Sequence, residues 1–276
     1  MKQAKNLTVL LTCAVLLLGT YLNTSVKAQE MNIVIDNMPR VIGVGIGIVP
    51  DYEGSDDYTW GAAPFAKFKL EDHEQYLLIK AYELQLNLLD HPWLRLGPSL
   101  NYHWGRDDDV EDHYVKKMKE IDGTVEAGGW FGVEFTDSTN PRKRFLADVD
   151  FLTDIGNEHD GYTISGNVRG WYPLSQMFDA GLGFTMVYAS DNYMKTYFGV
   201  SPKDSARSGL PVFDADSGVK DIRINPVLVM HLNTNWHVAA GIQYRRLLGD
   251  ADDSPVVDKR GSSNQWISGL GLAYSW

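Results

Sequence analysis

The last eight residues, Gly269-Leu270-Gly271-Leu272-Ala273-Tyr274-Ser275-Trp276, decide the fold. Leu270, Leu272, Tyr274 and Trp276 take every second position, and Gly269, Gly271, Ala273 and Ser275 lie between them. Successive side chains of a β-strand point to opposite faces, so this spacing builds one large apolar face and one small one. The same period recurs upstream. Phe145, Ala147, Val149 and Phe151 alternate with Leu146, Asp148 and Asp150; Phe178 to Tyr188 and Trp236 to Tyr244 repeat the pattern.

A secreted β-sandwich alternates in the same way. It gives no reason, however, for a chain to end on Trp276 or for aromatics to gather at strand ends. Trp60, Trp93, Trp104, Trp171, Trp236, Trp266 and Trp276 all lie near the ends of strand-like runs, as interfacial girdles require. After Val41 no apolar run is long enough for a spanning helix, so a membrane crossing must use strands. Mean hydropathy is −0.25, which suits a barrel with a polar interior. The reading is an all-β, transmembrane antiparallel β-barrel. Leu270, Leu272, Tyr274 and Trp276 form a candidate assembly signal, of the kind read by the barrel assembly machinery of the bacterial outer membrane.

Eleven runs qualify as strands: 41–49, 59–69, 75–88, 93–104, 122–136, 143–154, 161–172, 178–190, 219–231, 236–249 and 263–276. Single-chain bacterial barrels have an even number. A short strand near Asn32–Asp36 would give twelve; ten is the alternative. With Trp276 in the periplasm, the short turns 231–235, 173–177 and 89–92 fall on that side. The longer acidic segments 250–262, 190–218 and 105–121 then lie outside.

The N-terminus carries an address. Lys2 and Lys5 precede the uncharged apolar stretch Leu7 to Thr20, and Val26-Lys27-Ala28 offers a cut after Ala28, the layout of a cleavable secretory signal over 1–28. Residues 29–276 then form one domain, since no Pro-, Gly- or Ser-rich linker divides them. The only cysteine, Cys13, lies in the signal, which leaves no disulfide and no Cys-based metal site. Residues 29–276 keep 22 basic against 36 acidic side chains, a formal charge of −14, which excludes nucleic acid as an expected partner.

Three long segments carry a family resemblance. They are Val49-Pro-Asp-Tyr-Glu-Gly-Ser-Asp-Asp-Tyr58, Asn192-Tyr-Met-Lys-Thr-Tyr-Phe-Gly-Val-Ser-Pro202 continuing to Arg207-Ser-Gly-Leu-Pro211, and Tyr244-Arg-Arg-Leu-Leu-Gly-Asp250 with Asp253-Ser-Pro255 and Arg260-Gly261. With the last strand they resemble the MipA/OmpV family, also called the MltA-interacting protein family. The resemblance implies an outer-membrane barrel in contact with lipid and lipopolysaccharide. For some members it implies scaffolding between a lytic transglycosylase and a peptidoglycan synthase; others are porin-like or adhesive. A scaffold supporting peptidoglycan synthesis is therefore the leading function, and a narrow passive channel for small solutes the alternative.

No enzyme and no cofactor are expected. Seven histidines are present, but none has a metal-helix spacing and no Gly-x-Ser-x-Gly elbow occurs. A pairing such as His159 with Ser165 can be drawn from any polar sequence, and His231 and His237 flank a turn where both read as solvated. The acidic clusters around Asp51–Asp57, Asp107–Asp112 and Asp250–Asp253 match no calcium loop and read as solvated loops. Setting the apolar faces toward lipid sends Glu126, Glu134, Asp148, Asp150, Arg169, Asp221, Arg223 and Arg245 into the lumen, as a bracing charge network or the lining of a pore. Segment 190–218 holds a capped helix at 202–208, Ser201 capping and Gly209 ending it. Tyr193, Tyr197, Phe198 and Arg207 make it a candidate lid, with Arg207 expected to pair with a lumen acid.

Overall fold

The computed structural model describes residues 37–276; the signal segment 1–28 and the parity strand expected near Asn32–Asp36 lie outside them. Twelve antiparallel strands run β1 (Arg40–Pro50), β2 (Tyr58–Lys69), β3 (Tyr76–Lys80), β4 (Glu83–Asn87), β5 (Leu94–His103), β6 (Thr124–Thr136), β7 (Arg144–Asp154), β8 (Tyr162–Pro173), β9 (Phe178–Ala189), β10 (Gly218–His231), β11 (Trp236–Leu247) and β12 (Asn264–Ser275). Each pairs with its neighbours in chain order, and β1 closes on β12 from Val41↔Ser275 to Ile48↔Ser268. The final eight residues that announce the fold thus also seal it. Closure leaves no open sheet edge along the seam, which is what allows strands to live in lipid.

All twelve strands lie within the described residues, and the extra one comes from a run read as single. It comes from 75–88, which reverses at Ala81–Tyr82 into the short hairpin β3–β4. Ala81 sits at φ 53°. Neither turn residue is the Gly, Asn or Asp that usually marks such a turn, so the run reads as continuous.

Alternation sorts the wall. Leu182, Phe184 and Met186 on β9, Ile42, Val44 and Ile46 on β1, and Leu270 and Leu272 on β12 are all exposed on the outer face. Aromatics rim this belt at both ends. Tyr162 stacks on Tyr188 at one end with ring centroids 6.5 Å apart; at the other, Phe68, Trp276, Tyr274 and Trp236 form a ladder across the seam at 5.9, 6.3 and 5.1 Å. Such a belt with two girdles is the outer surface of a transmembrane barrel. The turns 89–92, 173–177 and 231–235 lie at the end carrying the Trp276 ladder, the periplasmic one, and the Ala81–Tyr82 reversal points away from it. Their hydrogen bonds come from local side chains: Asn233 Oδ1 accepts from the amides of Asn235 and Trp236, both at 2.9 Å, and Ser175 Oγ from Met177 and Phe178, both at 3.1 Å.

The outer loops are folded rather than loose. The β9–β10 connection carries α1 (Asp191–Phe198) and α2 (Pro202–Ser208), and the β11–β12 connection carries α3 (Asp250–Asp253) and α4 (Pro255–Asp258). On α1, Tyr193, Met194, Tyr197 and Phe198 recur at i, i+1, i+4 and i+5, one helical face, and all four are buried. They pack with Ile121, Leu247 and Val257, while Tyr52, Val115, Val200, Leu210 and Val256 build an adjoining cluster. Four connections therefore share one apolar core above the membrane.

Candidate functional site

The lumen is the one place where the fold gathers chemistry, and it is arranged in three levels. At the periplasmic level Phe65 of β2 and Trp171 of β8 belong to one buried cluster with Met38, Val41, Val227, Val229, Ala239 and Ala273. Phe65 and Trp171 project inward from opposite walls of the barrel and form its floor. Glycines make it possible. A Cβ on Gly181 would meet the Trp171 ring at 2.8 Å, and one on Gly43 would meet Phe65 Cζ at 2.2 Å. Trp171, expected in the outer girdle, instead faces inward because it shares the parity of Asn167 and Arg169 on β8. It is 7% exposed.

At the middle level lie the charged groups. Glu126, Glu134, Asp148, Asp150, Asp221, Arg223 and Arg245 are all buried on the inner face, and Arg169 is half-buried beside them. They form local sets rather than one network. Glu134 binds Arg95 Nε at 2.8 Å and Arg144; Asp148 meets Arg169 at 3.6 Å; Arg223 donates to both oxygens of Asp221 at 2.7 and 3.1 Å. Glu126 meets His159 Nε2 at 3.1 Å and accepts from Asn101 at 2.7 Å. The residue type was legible at each of the eight positions; the partners Arg95, Asn101 and His159 were not.

The roof depends on a residue that alternation cannot find. Glu53 lies in the first outer loop, inside an acidic cluster that reads as solvated, yet it is 4% exposed. Gly54, at φ +99°, turns the loop inward, a conformation that glycine adopts without strain. Glu53 then accepts from Lys220 and from Arg245 Nη1 at 3.0 Å, and Tyr193 OH donates to it at 3.2 Å. Lys220 reaches inward beside Asp221 because the β9–β10 register slips between Val219 and Asp221, so two consecutive residues face the lumen. A Lys-Asp pair breaking the alternation of β10 was the signal for that bulge.

Tyr193, Tyr197 and Phe198 pack over this roof, with Tyr197 4.6 Å from the His103 ring. Burial pushes the Tyr197 and Tyr52 phenols well above the ordinary value. Arg207 does not join them. It is exposed, because α2 sets it one turn from Asp204 on the outer side, and the lid is held by aromatics instead. Asp112, in the second acidic cluster, is also buried and accepts from Arg260 Nη2 at 2.6 Å, clasping the β5–β6 loop to the β11–β12 loop.

The periplasmic rim carries a further set. His231 and His237, expected to be solvated, face each other with Nδ1 atoms 2.7 Å apart. His231 Nε2 meets Asp179 at 2.8 Å, and His237 Nε2 meets Ser275 Oγ at 2.8 Å. Asp179 also holds Arg142 and Asn37. This chain ties β9 to β12 across the shortest turns. Among the described residues no group of three His, Cys, Asp or Glu side chains is placed to hold a metal ion.

Architecture and lumen define the class: a closed outer-membrane β-barrel whose lumen is narrowed by inward side chains. The family model for "MltA-interacting protein MipA" matches residues 42–276. The chain belongs to that family. It is 28% identical over 160 residues, 58% of the chain, to outer membrane protein Omp26La of Vibrio anguillarum, and 35% identical over 81 residues, 28% of the chain, to the MltA-interacting protein of Escherichia coli. Those alignments span 57% of the first relative's length and 31% of the second's. Among solved structures it is similar to the NanC porin, with TM-score 0.49 and 9% identity over 86% of this chain and all of that one. It is also similar to the COG4313 outer-membrane channel of Pseudomonas putida, with TM-score 0.47 and 10% identity over 91% of this chain and all of that one.

Proposed function

We propose that the chain is a structural barrel of the outer membrane that holds a component of the peptidoglycan machinery at its periplasmic rim. One observation carries this reading: inward side chains narrow the lumen at two levels, with the Phe65–Trp171 floor below and the Glu53-anchored cap above. A twelve-strand barrel built to pass solutes has no need of both. The name of the Escherichia coli relative supplies the partner class, a lytic transglycosylase, and a peptidoglycan synthase is the second partner this scaffold would join. In this reading residues 1–28 direct export, the barrel assembly machinery inserts 29–276, and exposed loop acids such as Asp107, Asp108 and Asp109 meet lipopolysaccharide through divalent ions.

The test is capture. Tagged full-length chain, cross-linked in cells and purified from solubilised envelopes, should carry a lytic transglycosylase, and an unrelated twelve-strand barrel should not. Recovery of neither enzyme above that control contradicts the scaffold. A narrow channel is the second reading, favoured by the cavity of about 130 Å³ that remains between cap and floor. It requires both closures to move.

A further inference from the structure

We propose that this cavity is a binding site for a small polyhydroxylated solute. The cavity, about 130 Å³, lies between Tyr193 of the cap and Trp171 of the floor. One water needs only about 10–15 Å³ of such space, so the void has room for a solute of several carbon atoms. Its chemistry follows from what the wall has already satisfied. The charges that line it are partnered within the protein: Lys80 with Glu83 at 2.8 Å, Arg223 with Asp221 at 2.7 Å, Arg169 with Asp148 at 3.6 Å, Lys220 with Glu53, and Glu126 with His159 at 3.1 Å. An anionic ligand would have to break one of these pairs, and a buried charge that loses its partner is costly.

What remains unsatisfied calls for hydrogen-bond donors. Asp150 is 5% exposed, and its Oδ2 accepts from both Gln85 at 3.1 Å and Ser99 at 2.7 Å, while its buried Oδ1 has no partner. Asn225 Oδ1, on β10, is likewise buried without a partner. Both residues line the cavity, from β7 and β10, and both orphan atoms require a donor. Between them β8 contributes Thr163, Ser165 and Asn167, groups that donate and accept. A hydroxyl does both as well. A compact polyol can therefore donate to Asn225 Oδ1 and satisfy β8 with its other hydroxyls, while its C–H face rests on Trp171. The proposal is independent of the scaffold reading, since a plugged barrel can hold a solute without conducting it.

Equilibrium dialysis of the purified full chain, in a detergent without a sugar headgroup, against labelled sorbitol and labelled D-glucose tests this. Saturable one-site binding in the millimolar range is expected for at least one of them, and none for the anions gluconate and acetate. Asn225→Ala should weaken binding about fivefold, the loss of one hydrogen bond. Ser165→Phe, which fills the cavity, should abolish it. Absence of saturable polyol binding overturns the site, as does preferential binding of the charged probes or indifference to Asn225→Ala. The last variant keeps the test decisive should Ser165→Phe fail to fold. A barrel that captures its transglycosylase but binds no polyol would refute this site alone.

Discussion

Glu53 accepts a hydrogen bond from Arg245 at 3.0 Å although 192 residues separate them, and it joins the first outer loop to the inside of β11. The same carboxylate receives Lys220 and the Tyr193 hydroxyl. This carboxylate therefore ties the cap to the wall beneath its aromatic packing. Glu53→Ala would take one anion from two buried cations, Lys220 keeping Asp221 at 3.2 Å, and breaking a buried pair costs up to about 3–5 kcal/mol. Hydrogen exchange in 191–216 should rise sharply in this variant while the strands stay protected. Unchanged protection of the cap would show that the aromatic contacts hold it alone.

Assembly should depend on Trp276. Its ring lies 5.9 Å from Phe68 and 6.3 Å from Tyr274, so it completes the aromatic ladder over the β1–β12 seam. Trp276→Asp should strongly reduce the heat-resistant folded band on a gel. A normal yield of that band would remove both the seam role and the assembly signal.

The two faces of β8 should respond oppositely to lysine. Val168 is 42% exposed on the lipid side, and Val168→Lys should destabilise by roughly 2–4 kcal/mol near midplane. Ser165 lines the cavity directly across from Asp150 on β7, so Ser165→Lys gains a carboxylate partner and should cost far less. Gln243, which alternation marks as an equivalent inner site, is fully buried and offers no such room. Equal denaturation midpoints for the two β8 variants would contradict the register.

Acid should loosen one loop before the barrel. Burial alone would raise the Asp112 pKa, but the Arg260 guanidinium and the amides of Val115 and Tyr114 outweigh it and hold the carboxyl below its ordinary range. A depressed carboxylate contributes stability above its unfolded value of about 3.9, and that contribution disappears as pH falls through the lower folded value. Proteolysis within 105–123 should therefore increase below about pH 4, and Arg260→Ala should move that sensitivity to neutral pH. Equal cleavage of wild type and Arg260→Ala at neutral pH would show that the clasp is idle.

The barrel was legible because its period is enforced by two solvents. Lipid outside and a polar lumen inside leave no freedom at Leu182, Phe184 and Met186, or at Asp148 and Asp150, so strand and facing follow from spacing alone. The cap and floor were not. Glu53 and Asp112 sit in acidic loops that look solvated, and only the tertiary path of the loop, turned by Gly54, buries the first. Ala81–Tyr82 reverses the chain without a turn signature, which hid the origin of the twelfth strand. Trp171 carries the composition of a girdle and the parity of the lumen, and parity decides its place. Arg207 could not be oriented because a seven-residue helix can present either face until its packing partners are known.

Single-channel recording in planar bilayers measures most directly whether the lumen is closed. The full chain should insert without conductance steps. Deletion of 195–215 should leave it silent as well, because the Phe65–Trp171 floor remains in place. Steps should emerge only when that deletion is combined with Trp171→Ala and Phe65→Ala. Discrete, repeatable steps from the unmodified chain would contradict the plugged barrel and make it a channel.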